Sequence, residues 1–232
     1  MLQIKGMIPN SLIDYPGKIC SVIFLPECNF RCQFCFNPDL VLNADILQDT
    51  KEQDVLDYLQ KNKKWLDGVC ITGGEPTLHA GLPEFLGKLK QMGLLVKLDT
   101  NGTSPSMLME LIDKKLVDYI AMDIKSSPQK YEQAANASVN IAAVKKSVEL
   151  VRSSGIDYEF RATVLPKIFD ADDARAVGEW LRGSKKFCLQ QFRSEKTLDK
   201  DFASEKKYTH EQLHELANAM QQYFEVVEIR GI

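Results

Sequence analysis

Cys28, Cys32 and Cys35 place three thiols within eight residues, in the run Cys28-Asn-Phe-Arg-Cys-Gln-Phe-Cys35. A thiolate is a soft, anionic ligand suited to iron–sulfur clusters or zinc. Three thiolates can hold three irons of a cubane and leave the fourth open to a small molecule. A closed structural zinc site normally has four ligands. No fourth Cys lies in this loop, and the nearest His is His79. The ligand count favours an open catalytic cluster over a closed structural site.

The triplet follows the apolar run 19–25, which places it on a loop at the end of a strand. Three more apolar runs end in polar or glycine-rich segments. Thr72-Gly73-Gly74-Glu75-Pro76 follows 68–71, Asp99-Thr100-Asn101-Gly102 follows 94–98, and Asp123-Ile124-Lys125 follows 117–122. Ligand sites of parallel α/β barrels are built at the carboxyl ends of the strands. Gly73 and Gly74 would let backbone carbonyls approach a ligand closely, although a tight strand-to-helix turn would use the same residues. Asp123 and Lys125 are two apart on a strand and share a face. They read either as inward-pointing site groups or as a surface ion pair.

Strands are expected over 19–25, 68–71, 94–98, 118–122, 157–165, 186–191 and 225–229. Helices are expected over 51–65, 82–92, 106–115, 138–153, 171–182 and 209–224. The first helix carries Val55, Leu56, Leu59 and Trp65 on its apolar face. Pro83 suits a first turn. Gly155 and Gly183 suit helix stops. Thr209 and Gln212 fit a capping box. The alternation predicts an α/β fold of parallel βαβ units, in one domain over residues 1–232. The charged stretch 194–208 reads as a solvated surface loop, or as a segment that orders on contact with a partner protein.

The 232 residues suffice for one α/β barrel-like domain, and 44% hydrophobic with 26% charged residues is ordinary for a globular protein. No apolar run approaches ~20 residues, so no membrane span is expected. The start Met1-Leu2-Gln3-Ile4-Lys5-Gly6 lacks a signal-peptide pattern, and a cytoplasmic location is expected. A net charge of −3 gives no sign of nucleic-acid binding. Cys20, Cys70 and Cys188 sit singly in apolar runs and read as buried small hydrophobes.

The triplet with Phe34 before its third Cys, together with Gly73-Gly74-Glu75-Pro76, resembles the radical S-adenosylmethionine (SAM) enzymes. Ser11-Leu12-Ile13-Asp14-Tyr15-Pro16-Gly17-Lys18, Leu98-Asp99-Thr100-Asn101-Gly102 and Ala121-Met122-Asp123-Ile124-Lys125 resemble the activating enzymes of glycyl-radical enzymes. The pattern is nearest to those that activate anaerobic ribonucleoside-triphosphate reductase. The resemblance is dense over residues 4–125 and thins beyond.

It implies a partial (β/α)6 barrel with a [4Fe–4S] cluster on Cys28, Cys32 and Cys35. SAM would chelate the open iron and be cleaved reductively to methionine and a 5′-deoxyadenosyl radical, which takes a hydrogen atom from the substrate. The same resemblance implies SAM contacts from Phe34, Gly73, Gly74, Glu75, Asp99, Asp123 and Lys125, with the Gly-Gly-Glu segment at the methionine amino group and Lys125 at its carboxylate. A monovalent cation would sit beside Asp99 and Asp123. Arg161 reads as a contact to SAM or substrate, or as structural. The implied partners are a glycyl-radical enzyme as protein substrate and a flavodoxin or ferredoxin as electron donor. Two positions depart from the pyruvate formate-lyase activating pattern. Phe36 replaces a His after the third Cys, and Gln190-Gln191-Phe192-Arg193 lacks another His. Both point away from pyruvate formate-lyase as target. The alternatives are a radical SAM enzyme acting on a small molecule or another peptide, as in 7-carboxy-7-deazaguanine synthase, and a non-enzymatic iron–sulfur or zinc module. The compact loop weighs against the first, and Gly73-Gly74-Glu75-Pro76 against the second.

Overall fold

Runs of β-branched and aliphatic residues alternate along the chain with amphipathic helices, and the computed structural model, which describes residues 2–232, follows that alternation. The elements are β1 (Gly6–Ser11), β2 (Cys20–Leu25), α1 (Pro38–Leu42), α2 (Glu52–Asn62), β3 (Gly68–Gly73), α3 (Leu82–Gln91), β4 (Leu95–Thr100), α4 (Pro105–Asp113), β5 (Tyr119–Asp123), α5 (Tyr131–Ala135), α6 (Ile141–Ser153), β6 (Asp157–Val164), α7 (Ala171–Trp180), β7 (Ser184–Gln191), α8 (His210–Met220) and β8 (Phe224–Arg230). Strand order follows chain order, β1 to β8. This is the α/β class the sequence predicts. No helix among the described residues is long and apolar enough to cross a membrane.

Two compact units divide the chain. The first comprises residues 1–29, 39–121 and 143–157, and the second residues 30–38, 122–142 and 158–232. In the first unit β2, β3 and β4 are parallel, and their register aligns Val22 with Cys70 and Cys70 with Lys97. Leu25 pairs with Gly73, so β2 delivers the chain toward Cys28 beside the glycine turn. In the second unit β6, β7 and β8 are parallel, and Arg161 aligns with Cys188 and Cys188 with Glu228.

The sequence pattern missed β1, which lies antiparallel to β2 with an irregularity between Ile8 and Ser11. Pro9 within it donates no ladder bond, a residue tolerated at sheet edges and bulges. Its middle residues are exposed, so no alternation signals a strand. Trp65 lies beyond the end of α2 and is 79% exposed, so it is no part of that helix's apolar face. The stretch 194–208 is more firmly held than a solvated loop, because it contains a 3-10 turn over Lys200–Ser204 with Phe202 buried. The capping box of Thr209 and Gln212 forms as expected.

Cys20, Cys70 and Cys188 are fully buried. Burial pushes the Cys20 thiol up to about 11 and the Cys188 thiol up to about 12. Both remain protonated and inert near neutrality.

The second unit also holds a fully buried carboxylate, Glu159 on β6. Arg230 on β8 grips it with two hydrogen bonds of 2.7 Å. Lys186 lies 3.7 Å from it. Removing one partner of a buried pair strands the other charge, typically costing about 3–5 kcal/mol. Arg230→Ala should therefore lower the unfolding free energy from urea titration by an amount in that range, while Arg182→Ala, at an exposed i,i+3 pair with Glu179, should change it by under about 1 kcal/mol. Equal midpoints for the two variants would contradict this assignment.

Candidate active site

The first unit positions Cys28 through two strand ends. Gly74 N–H donates to the Leu25 carbonyl at 2.8 Å, and Glu75 N–H donates to the Glu27 carbonyl at 2.7 Å. The turn after β3 is thus fastened to the residues leading into Cys28. A Cβ on Gly74 would lie 1.8 Å from the Glu27 oxygen, and Gly73 has φ +117° with a Cβ position 2.4 Å from the Leu25 oxygen. No other residue type fits either place without moving the backbone.

The Glu75 carboxylate is buried and faces inward to the protein. It accepts from Thr77 N at 3.0 Å, Thr77 Oγ1 at 2.5 Å, Thr100 Oγ1 at 2.7 Å and Asn101 N at 2.6 Å. Burial pushes its carboxyl up, and these four donors pull the other way. Its carboxylate therefore works as a clamp between the turns after β3 and β4. Asn101 extends the clamp, donating to Asn29 Oδ1 at 2.8 Å and lying 3.9 Å from Cys28 Sγ.

Asp99 on β4 forms an ion pair with Lys97, two residues earlier on the same face. Lys97 is 2% exposed and its Nζ lies 3.6 Å from Cys70 Sγ. The sequence reading passed over Lys97 and Asn101. A single lysine in the middle of an otherwise apolar run was the available sign for the first. The second stood inside the Asp99–Gly102 motif but had no charge to mark it.

In the second unit Cys32 and Cys35 close a tight turn, with Cys35 N–H donating to the Cys32 carbonyl at 3.0 Å. The residues before it are held by α5. Arg31 N–H donates to the Ala135 carbonyl at 2.9 Å, and Phe30 meets Tyr131 edge-on at 6.4 Å between centroids. Phe34 is buried, with Phe202 at 6.4 Å. Burial raises the Cys35 thiol, while the Asn37 N–H and Lys125 work against that rise. None of the three cysteines is in a disulfide.

Asp123, Lys125 and Arg161 form one cluster. Lys125 Nζ lies 2.9 Å from Asp123 Oδ2, and Arg161 Nε lies 2.5 Å from Asp123 Oδ1. Ile124 N–H donates to the Arg161 carbonyl at 2.8 Å, which fixes the two chains against each other. Burial disfavours the Asp123 anion, but Arg161 and Lys125 outweigh it and hold its carboxyl well below the usual range. Burial likewise opposes the Lys125 cation, but the charges of Asp123 and Cys32 outweigh it and raise its ammonium. Two cations around one carboxylate leave a formal charge of about +1, which suits an anionic ligand group. Asp99 and Asp123, the expected ligands of a monovalent cation, each already face protein cations.

The donor set fits a soft metal cluster, because three sulfurs share one short loop and none is oxidised. That fit lies in donor type and spacing; among the described residues no group of three or more His, Cys, Asp or Glu side chains stands assembled around a metal position.

Asp123 gives a pH prediction. A carboxyl lowered in the folded state stabilises fully above its unfolded value, about 3.9, and loses that contribution as pH falls through its folded value. The stability gap between the protein and its Asp123→Asn variant should be constant from pH 7 to about 5 and narrow below about pH 4, read as urea midpoints. A gap that stays constant to pH 3 would show that Asp123 is not held ionised by its neighbours.

Comparison with known proteins agrees with this arrangement. The radical SAM superfamily pattern matches residues 22–177. A Methanocaldococcus jannaschii protein named, provisionally, as a glycyl-radical enzyme activating enzyme is 32% identical over 99% of this chain and 96% of its own length. The pyruvate formate-lyase-activating enzyme of Listeria monocytogenes is 35% identical over 56% of this chain and 58% of its own. Among solved structures, Streptococcus suis SuiB bound to the precursor peptide SuiA superposes with a TM-score of 0.69 at 16% identity, covering 90% of this chain and 48% of SuiB, a likeness of fold. The chain belongs to the radical SAM superfamily of enzymes and, within it, to the activating enzymes of glycyl-radical enzymes.

Proposed function

We propose that this enzyme cleaves SAM reductively and installs a glycyl radical on a partner enzyme, an anaerobic ribonucleoside-triphosphate reductase. The observation that carries the reading is the similarity to a glycyl-radical enzyme activating enzyme along nearly the whole chain, joined to the Cys28, Cys32 and Cys35 triplet. Phe36 after the third Cys supports the reductase over pyruvate formate-lyase as the target.

Cys28, Cys32 and Cys35 hold a [4Fe–4S] cluster, which when bound supplies the electron that breaks a carbon–sulfur bond of SAM and so generates the hydrogen-abstracting radical. The Gly73 and Gly74 backbone receives the methionine amino group, and Glu75 keeps that turn in shape. Lys125 and Arg161, held by Asp123, receive the methionine carboxylate. Asp99, balanced by Lys97, lines the same ligand. Phe34 packs beside the cluster loop and keeps water from it. A flavodoxin or ferredoxin delivers the electron, and the work is done in the cytoplasm. A carbon radical must lie within near-attack distance of its target hydrogen with water excluded. A glycine loop of the partner meets both demands at once, because it presents the Cα hydrogen and covers the site.

Lys125→Ala should weaken SAM binding by up to about 100-fold, since a charge-assisted contact contributes up to ~3 kcal/mol. Its iron content should equal that of the unaltered enzyme. Normal SAM affinity in calorimetry would remove Lys125 from the SAM site.

The target is tested by anaerobic mixing of reduced enzyme, SAM and an anaerobic ribonucleotide reductase, followed by electron paramagnetic resonance. A doublet from an α-glycyl radical that changes when the glycine carries deuterium at Cα is the expected result. Slow SAM cleavage alone that speeds up with a peptide copying the glycine loop would accompany it. Rapid SAM turnover on a small metabolite, with no protein radical, would instead favour a small-molecule enzyme.

A further inference from the structure

We propose that Asp199 and Phe202, in the segment after β7, are positioning residues that strap the Cys32–Cys35 turn in place and set the lifetime of the cluster bound there. This rests on the reading that Cys32 and Cys35 are cluster ligands. The turn has no ladder of its own. Arg31 before it is held by α5, and the residues that follow Cys32 lean on one distant stretch of chain.

Gln33 donates from Nε2 to Asp199 Oδ2 at 2.8 Å, and its backbone carbonyl accepts from Asp199 N–H at 3.1 Å. One residue is thus gripped through both side chain and backbone, by a partner 166 positions away. The other oxygen of Asp199 accepts from Asp201 N–H at 3.0 Å and caps the 3-10 turn over Lys200–Ser204. That turn presents Phe202, which is 1% exposed. Phe202 lies 6.4 Å from Phe34 and 6.1 Å, edge-on, from Phe192. Lys167 Nζ covers its ring at 4.9 Å. Phe36 is covered in turn by the Arg193 guanidinium at 4.2 Å. Gln33, Phe34 and Phe36 flank Cys35 and follow Cys32, and all three bear on residues 192–202.

Groups behind metal ligands fix their orientation, and the apolar shell around a site controls solvent access and redox potential. The strap supplies both kinds of contact and no ligand atom. Loosening it leaves the thiols able to take up iron. It lets the turn open, so that water and chelators reach the sulfurs.

The test uses anaerobically reconstituted protein with the substitutions Asp199→Ala, Phe202→Ala, Gln33→Ala and Gln33→Ala/Asp199→Ala. Iron content, decay of the charge-transfer absorbance in EDTA and the resonance spectrum of the reduced cluster are measured. Asp199→Ala and Phe202→Ala should bind normal iron, lose it about tenfold faster and show a shifted spectrum. Asp199→Asn and Phe202→Leu should restore most of the lifetime. The double variant should be no worse than the poorer single one, as expected of residues acting through one contact. Leu108→Ala, a core change in the first unit, should lower thermal stability and leave the lifetime unchanged. Wild-type lifetime and spectrum in Asp199→Ala and Phe202→Ala would overturn the proposal, as would equally fast loss in Leu108→Ala. Full iron retained by Cys32→Ala would instead overturn the ligand assignment on which it rests.

Discussion

The Glu75 carboxylate is the constraint on which the placing of Cys28 in the first unit depends. A buried carboxylate is costly unless its oxygens are satisfied. Here the donors that satisfy it come from two different strand ends, the turn after β3 and the turn after β4. Neither turn can move without exposing an unsatisfied anion. Asn101 carries the constraint one step further, to Cys28 and Asn29. The glycines complete it, since their lack of a Cβ is what lets the β3 turn close on Leu25 and Glu27. A motif that looks like a ligand-binding loop is thus first a means of fixing a cysteine.

Charge is handled by the same economy of partners. Asp99 meets Lys97 within its own strand, and Asp123 meets Lys125 and Arg161. Lysines buried without a carboxylate would tend to lose their protons. With one, Lys125 stays charged and keeps a fixed place. The surplus cation is thereby fixed in place by its own partners, and fixed charge of this kind is what preorganises a site electrostatically.

How much of this the sequence disclosed depended on periodicity. Strands and helices with a regular apolar face were legible to within a few residues, as with α3 and β6. The strand β1 was not, because an exposed edge strand with a proline need not alternate. Trp65 misled because helical spacing continues past the point where the helix stops. At the site, residue types with strong chemistry stood out: thiols, paired glycines, carboxylates at strand ends. Asn101, Lys97 and Asp199 did not, since their work lies in which distant group they reach. A sequence without the fold does not show that Gln33 and Asp199 meet.

The two departures from the pyruvate formate-lyase activating pattern illustrate the same point. In the sequence they are unrelated, a Phe in place of His after the third cysteine and a changed run far downstream. In the second unit the last residue of that run reaches Phe36, with the Arg193 guanidinium 4.2 Å from the centre of the Phe36 ring. A guanidinium over an aromatic face is favourable by about 0.5–1 kcal/mol at an exposed position. A histidine at position 36 would give Arg193 a poorer face and, when protonated, a like charge. Phe36 and Arg193 are thus coupled beside the cysteine turn. The contact falls next to Cys35, where the chain carries an apolar ring under a cation and no group that takes up or releases a proton near neutrality.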